Sequence, residues 1–69
     1  MNKRDEIDIE IRNFRLRRNT LPSFIIINRD DYWLLKEELG VPAEREIERF
    51  VGCDLLITMD LKKEIEIRI

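Results

Sequence analysis

The sequence predicts a small α+β domain in which an antiparallel sheet receives one or two central helices, in the order β-β-α-α-β-β. Isoleucine alternates with charged residues over residues 6–12 and again over residues 63–69. Successive side chains of a strand point to opposite faces, so both segments present one apolar face and one charged face. The helical patterns lie in one block between these segments, and that grouping favours an α+β fold.

The N-terminal pattern changes parity partway along. The isoleucines from Ile7 to Ile11 occupy odd positions, whereas the next apolar residues, Phe14 and Leu16, occupy even ones. A one-residue slip turns every following side chain to the other face of a sheet. We therefore expect either a β-bulge at residues 12–13, which absorbs one unpaired residue, or two separate strands.

The middle of the chain predicts a turn, a strand and a helix. Residues 19–23 include Pro22, which suits a turn and blocks continuation of a central strand. The run from residue 24 to 27 is apolar on both faces, which is typical of a strand covered on both sides. Asn28 can then cap a helix that Gly40 ends. The apolar stripe of this helix is Tyr32, Leu35 and Leu39.

The rest of the chain predicts a second helix and two strands. Pro42 suits the first turn of a helix that runs to Val51. The apolar stripe of this helix would be Ala43, Ile47, Phe50 and Val51. A strand over residues 53–59 follows, and residues 60–63 make a short reversal into the final strand.

Length and charge bound the class of protein. Sixty-nine residues make one domain, over residues 1–69, and a chain this short is only marginally stable alone. The formal net charge of −2 gives no overall attraction to nucleic acid or to an anionic membrane. The charged start lacks the apolar core of a signal peptide, and no apolar run approaches the roughly 20 residues that span a bilayer. We therefore expect a cytoplasmic protein that does not enter a membrane.

Few residues could carry chemistry. The chain has no histidine and one cysteine, Cys53, so it can form neither an internal disulfide nor a zinc site. A nucleophilic thiol needs a neighbouring base, which leaves Cys53 as a small packing residue. Asp30 and Asp31 could join a metal site, but acidic residues are favoured at a helix start in any case. The sequence therefore predicts a non-enzyme with no catalytic residue, no cofactor and no metal.

The segment from Arg12 to Asn19 is the sharpest local feature, because four of its residues are arginine. The candidate contacts to a nucleic-acid phosphate backbone are Arg12, Arg15, Arg17 and Arg18. The alternative is that Asn13, Arg15 and Arg17 form the solvent face of a strand and pair with neighbours such as Glu64 or Glu66. The second interpretation is favoured, since the chain as a whole is acidic.

Trp33 is a further candidate for contact with a partner. It adjoins Tyr32 on the first predicted helix, so the two rings cannot share one face. If Tyr32 belongs to the buried stripe, Trp33 points sideways to the rim of the domain. An exposed tryptophan is typical of a binding surface, whereas a tryptophan at a rim can equally close the edge of a small core.

Three features near the end of the chain are similar to those of a known group of proteins. They are Phe50-Val51-Gly52 running into an apolar strand, an aspartate turn at Asp60, and the closing Ile-x-Ile of residues 67–69. Over residues 50–69 the chain resembles the C-terminal part of short phage- and prophage-encoded proteins. The resemblance implies a role in assembly or in binding host factors, and it carries over no catalytic residue.

These observations predict a small non-catalytic module for protein–protein interaction or assembly, of a phage-like kind. The alternative is a nucleic-acid-associated protein that uses the basic segment 12–18. We also expect a homo-oligomer, most simply a two-fold dimer, because terminal strands at the edge of a sheet invite pairing with a second copy.

Overall fold

The computed structural model describes residues 2–69, which form two helices and a four-stranded mixed sheet. In chain order the elements are α1 Lys3–Arg18, β1 Phe24–Asn28, α2 Arg29–Leu39, β2 Arg49–Phe50, β3 Cys53–Thr58 and β4 Glu66–Arg68. The strand order across the sheet is β2-β3-β1-β4, with β1 parallel to β3 and the other two pairs antiparallel. The predicted α+β class is confirmed, whereas the predicted element order and the wholly antiparallel sheet are wrong.

The first element is a helix and not the predicted strand pair or bulged strand. Ile7, Ile11 and Phe14 are buried at the spacing i, i+4, i+7, which lines one side of a helix. The side chain of Asn2 caps the start by accepting a hydrogen bond of 2.8 Å from the backbone N–H of Asp5. The period-2 isoleucine pattern and a helical stripe coexist in this segment, and the helical stripe determines the structure.

Charged residues in the first and last turns also stabilise α1. Its first turn contains Asp5 and Glu6, and its last turn contains three arginines, Arg15, Arg17 and Arg18. Negative charge near the N-terminus and positive charge near the C-terminus both interact favourably with the helix dipole. Asn19 then ends α1 with a left-handed backbone, φ 53°, while its N–H donates to the carbonyl of Arg15.

The predicted strand, helix and strand in the middle of the chain are confirmed as β1, α2 and β3. Asn28 caps α2 by accepting a hydrogen bond of 2.8 Å from the N–H of Asp31. Gly40 ends α2 with φ 70°, a conformation that glycine adopts without steric cost. Since β1 and β3 are parallel, the chain between them must cross over, and α2 makes part of that crossover.

The second predicted helix, over residues 42–51, is wrong because side chains of α2 bind the backbone of this segment instead. The N–H of Ile47 donates to the Tyr32 hydroxyl at 2.9 Å, and Lys36 Nζ donates to the Ala43 carbonyl at 2.9 Å. The segment then enters β2, which forms a hairpin with β3. Val51 and Gly52 connect the two strands with positive φ values of 52° and 76°, as a type I′ turn requires.

Both helices pack on one face of the sheet. The buried core consists of Ile7, Ile11, Ile25, Ile27, Tyr32, Leu35, Cys53 and Leu55. Ile25 and Ile27 of β1 lie in register with Leu55 and Ile57 of β3, and this face carries the helices. Of the predicted β3 face, Cys53 and Leu55 are buried, whereas Ile57 and Met59 are exposed.

Polar contacts near the start of α1 fix this helix against α2. The backbone N–H groups of Lys3 and Arg4 donate to the Glu38 carboxylate at 2.9 and 3.0 Å, and these two donors hold the pKa of Glu38 below its usual value. Lys3 Nζ lies 3.3 Å from Asp31 Oδ1. Burial alone would lower the pKa of Lys3, but its carboxylate partners outweigh burial and the pKa is raised. Both helices are therefore held together on one face of the sheet, and the opposite face is uncovered.

Candidate interaction surfaces

The uncovered side of the sheet, which we call the open face, is set by strand register. Phe24 lies in register with Asp54 and with Arg68, so these three side chains form one row. Ile26 lies in register with Leu56 and Glu66, which form the next row. Arg49 of β2 extends the first row. The open face is therefore Phe24, Ile26, Arg49, Asp54, Leu56, Glu66 and Arg68.

The open face has an apolar centre. Phe24 and Ile26 lie on β1 and are half-buried, while Leu56 lies on the neighbouring strand β3 and is 45% exposed. Because β1 and β3 are the two central strands, these three side chains adjoin one another. A contiguous apolar group of this kind differs from isolated surface hydrophobic residues, which are ordinary.

Ion pairs flank the apolar centre on both sides. Arg49 Nε lies 3.6 Å from Asp54 Oδ1 at one side, and Arg68 Nε lies 3.4 Å from Glu66 Oε2 at the other. Lys63 Nζ also donates to the Glu66 carboxylate, and this hydrogen bond lowers the pKa of Glu66. Exposed pairs of this kind add little stability, so their main effect is to define a charged rim.

The second surface is a basic cluster, defined as Arg12, Arg15, Arg17 and Arg18. All four lie on the last two turns of α1 and are exposed. Within residues 2–69 no carboxylate lies within ion-pair distance of any of them. The predicted pairing with Glu64 or Glu66 on neighbouring strands is therefore wrong, because the segment is helical and Glu66 pairs with Lys63 and Arg68.

A cleft borders the basic cluster. It has a volume of about 400 Å³ and is lined by Arg12, Arg15, Leu16, Asn19, Thr20 and Leu21. Leu16 and Leu21 are both largely exposed in it. On the other side of the helix, the Arg18 guanidinium stacks over the Phe14 ring at 5.6 Å from the ring centroid. All four predicted arginines therefore lie in the C-terminal half of α1, and two of them, Arg12 and Arg15, line one cleft.

Trp33 lies apart from both surfaces, on α2. Its ring is exposed and meets the Tyr32 ring edge-on, with centroids 6.3 Å apart. The buried ammonium of Lys36 lies over the Trp33 ring at 4.6 Å and over the Tyr32 ring at 5.5 Å. This environment gives Trp33 a packing role as the cover of Lys36, and its role in partner contact stays a prediction.

The sequence alone does not mark the residues of the open face as a site. The apolar run at residues 24–27 predicts a strand covered on both sides, but the helices cover one side only, and Phe24 and Ile26 lie on the other. The sequence of β3 does indicate an exposed face, because Asp54, Leu56 and Thr58 share one face of that strand. A buried face would not be expected to combine a carboxylate, a leucine and a hydroxyl without partners.

Groups with catalytic or metal-binding chemistry are placed as follows. Cys53 is buried, its Sγ lies 3.6 Å from the Pro22 carbonyl oxygen, and burial raises the pKa of the thiol. Asp31 is engaged by Asn28 and Lys3 at the start of α2. Across residues 2–69 no group of three or more acidic or cysteine residues could hold a metal ion. In the same part of the chain, neither helix is long and apolar enough to cross a membrane.

Comparison of the chain with protein-family models, with curated protein sequences and with solved structures gives no match. The fold and the surfaces described above are therefore the basis for a functional proposal.

Proposed function

We propose that this chain is a small non-catalytic protein-interaction or assembly module that binds a protein partner on the open face. The observation that carries the proposal is the apolar centre of Phe24, Ile26 and Leu56 on an uncovered sheet face, bounded by charged residues. An apolar core inside a polar rim is the usual anatomy of a protein–protein interface. Phe24 supplies the kind of aromatic anchor that is enriched at such interfaces.

The energetics support the same proposal. Removing apolar surface from water is the dominant favourable contribution in most protein–protein association. The helices already bury most of the other face of the same two strands, so the open face is presented on a backbone fixed by its own sheet. A preorganised surface loses little conformational entropy when it binds. The proposed partner is a protein with an apolar patch and its own mixed-charge rim.

Three further parts of the proposal concern setting and assembly. We propose self-association as a dimer, because a 69-residue chain gains stability by sharing surface with a second copy. A single buried thiol suits a reducing compartment such as the cytoplasm. The resemblance of residues 50–69 to short phage- and prophage-encoded proteins supports a role in assembly or in binding a host factor.

A second candidate function, binding to nucleic acid, is favoured by the basic cluster. Residues 11–28 contain four arginines and no acidic residue. The four guanidinium groups have no carboxylate partner within residues 2–69, so all are available to phosphate. The cluster also has a simpler explanation, because positive charge at the end of a helix is favoured by its dipole. Protein binding on the open face therefore remains the first proposal.

One retention experiment separates the two functions. The immobilised chain is incubated with a lysate of its source organism, with and without nuclease, as wild type, Leu56→Glu, Leu34→Glu and the double variant Arg15→Gln/Arg17→Gln. Leu34 is a matched control because it is 46% exposed, against 45% for Leu56, and lies on α2 away from the open face. Melting temperatures establish that each variant is folded.

We expect the same proteins to be retained by the wild type, by Leu34→Glu and by the arginine double variant, and to survive nuclease treatment. Leu56→Glu should retain them at least about tenfold less, because it places an unpaired charge in a desolvated interface. Equal retention by Leu56→Glu, or no specific retention at all, would remove the first proposal. Loss on nuclease treatment and in the arginine double variant would establish the nucleic-acid function instead.

A further inference from the structure

The strand β4 forms an edge of the sheet. It is in register with β1 from Glu66 to Arg68, and within residues 2–69 no strand pairs with its other side. Ile69, directly after β4, is 64% exposed. An edge strand presents unpaired backbone N–H and C=O groups, which are a template for pairing with another chain.

Charge is divided along this edge. At the start of β4 the surroundings are of mixed charge, since four carboxylates and three lysines line one cleft and Lys63 pairs with Glu66. At the end of β4 they are basic, since Arg18 of α1 and Arg68 line another cleft with Ile69. Within β4 itself, Glu66 is the acidic end of the strand and Arg68 is the basic end. A rotation that reverses the strand direction brings unlike ends together.

We infer that two copies of this chain pair through β4, in an antiparallel manner, about a two-fold axis at Ile67. In this register Glu66 lies opposite Arg68 of the second copy, and Arg68 lies opposite its Glu66. Unlike charges directly across an antiparallel pair are stabilising, and the symmetry makes two such pairs. On the other face of the strand, Ile65 lies opposite Ile69 of the second copy and Ile67 lies opposite its equivalent.

The surroundings of Ile69 support this register. A cleft of about 230 Å³ lies at the end of β4 and is lined by Phe14, Arg18, Ile67, Arg68 and Ile69. The two-fold axis brings Ile65 of the second copy to this end of the strand. The contact covers Ile69, and it extends the apolar row of isoleucines that packs beneath α1. Pairing therefore buries apolar surface as well as joining unlike charges.

The inferred dimer deepens the proposed function. It rests on that proposal, because both require that the chain associates with protein. Two four-stranded sheets would form one continuous sheet of eight strands, because β4 is at the edge of each. Glu66 and Arg68 belong to the rim of the open face, so the two open faces would adjoin. The assembly would present one doubled surface to a partner.

The test uses two charge reversals that complement each other. Glu66→Arg leaves only positive charge at positions 66 and 68, and Arg68→Glu leaves only negative charge. Each variant alone places like charges across the axis, whereas an equimolar mixture permits a heterodimer in which every cross-strand pair is of unlike charge. Sedimentation equilibrium measures mass, and circular dichroism establishes that each variant is folded.

The wild type is expected to sediment at twice 8.4 kDa at high concentration. Each reversal should raise the dissociation constant of the homodimer roughly tenfold or more, and the mixture should restore dimers with one copy of each variant. A mass that stays at 8.4 kDa up to near-millimolar wild type would overturn the dimer. So would single variants that dimerise as the wild type does, or a mixture that stays monomeric.

Leu56→Glu separates failure of the inferred dimer from failure of the proposed function. Leu56 is on β3 and not at the β4 edge, so this variant should dimerise as the wild type does. If Leu56→Glu abolishes dimerisation while the charge reversals do not, two copies associate through the open face and pairing at β4 is wrong. If the wild type stays monomeric yet retains a partner through Leu56, the proposed function stands without the dimer.

Discussion

Ile7→Ala should lower the free energy of unfolding by about 2–5 kcal/mol, the range for truncation of a fully buried isoleucine. Ile7 is completely buried between α1 and the sheet. Ile9→Ala is the matched control, because Ile9 is on the same helix and 37% exposed. It should cost less than about 1 kcal/mol, as most substitutions outside the core do. Urea unfolding monitored by circular dichroism measures both values.

The difference between these two variants distinguishes a helix from a strand. Residues 7, 9 and 11 share one face of a strand, so a strand would make Ile7 and Ile9 equally sensitive. In α1 the buried positions are Ile7, Ile11 and Phe14, and Ile9 lies outside that stripe. Equal losses in Ile7→Ala and Ile9→Ala would contradict the helix. Domains of this size are marginally stable, so low temperature should be used to keep Ile7→Ala folded.

Asn28→Ala should cost about 2–4 kcal/mol, because one buried side chain makes three hydrogen bonds. Its oxygen caps α2 by accepting from the Asp31 N–H, and its amide nitrogen donates to Asp31 Oδ2 at 3.1 Å and to the Lys63 carbonyl at 2.9 Å. The last bond joins the end of β1 to the segment before β4. Alanine removes the cap and leaves the Lys63 carbonyl without its donor.

Asn28→Ser divides this loss into its parts. A serine hydroxyl can cap the helix but is too short to replace the amide bond to Lys63, so the loss should fall between zero and that of Asn28→Ala. Thermal unfolding of the two variants and the wild type makes the comparison. If Asn28→Ala melts within a degree or two of the wild type, the three bonds do not stabilise the domain as argued.

The parts of the fold that the sequence predicts are those with local signals. Asn28 and Gly40 mark the two ends of α2, and the apolar run at residues 24–27 marks β1. The first helix has its own local signals in Asn2 and Asn19, but alternating isoleucines obscure them. A segment with both periods leaves the choice to tertiary packing, since three large residues are buried in α1 at helical spacing.

Other features depend on contacts between residues distant in sequence. The segment after Pro42 is held by hydrogen bonds to the side chains of Tyr32 and Lys36. No local sequence pattern predicts those bonds. The open face also depends on packing between residues distant in sequence. It exists because both helices lie on one side of the sheet, and that cannot be predicted while residues 3–18 are assigned to strands. Composition alone predicts the basic cluster, but it does not predict the helical arrangement of its four arginines.

One face of the sheet is bare, and this can be tested at Leu55 and Leu56, which are neighbours on β3 and point to opposite faces. In a chain with Cys53→Ala, Leu56→Cys and Leu55→Cys each carry one thiol whose rate of reaction with a maleimide is measured. The thiol at position 56 should react close to the rate of a free thiol. The thiol at position 55 should react at least about a hundredfold more slowly, because only local or global opening exposes it. Equal rates, or protection at position 56, would contradict the bare face.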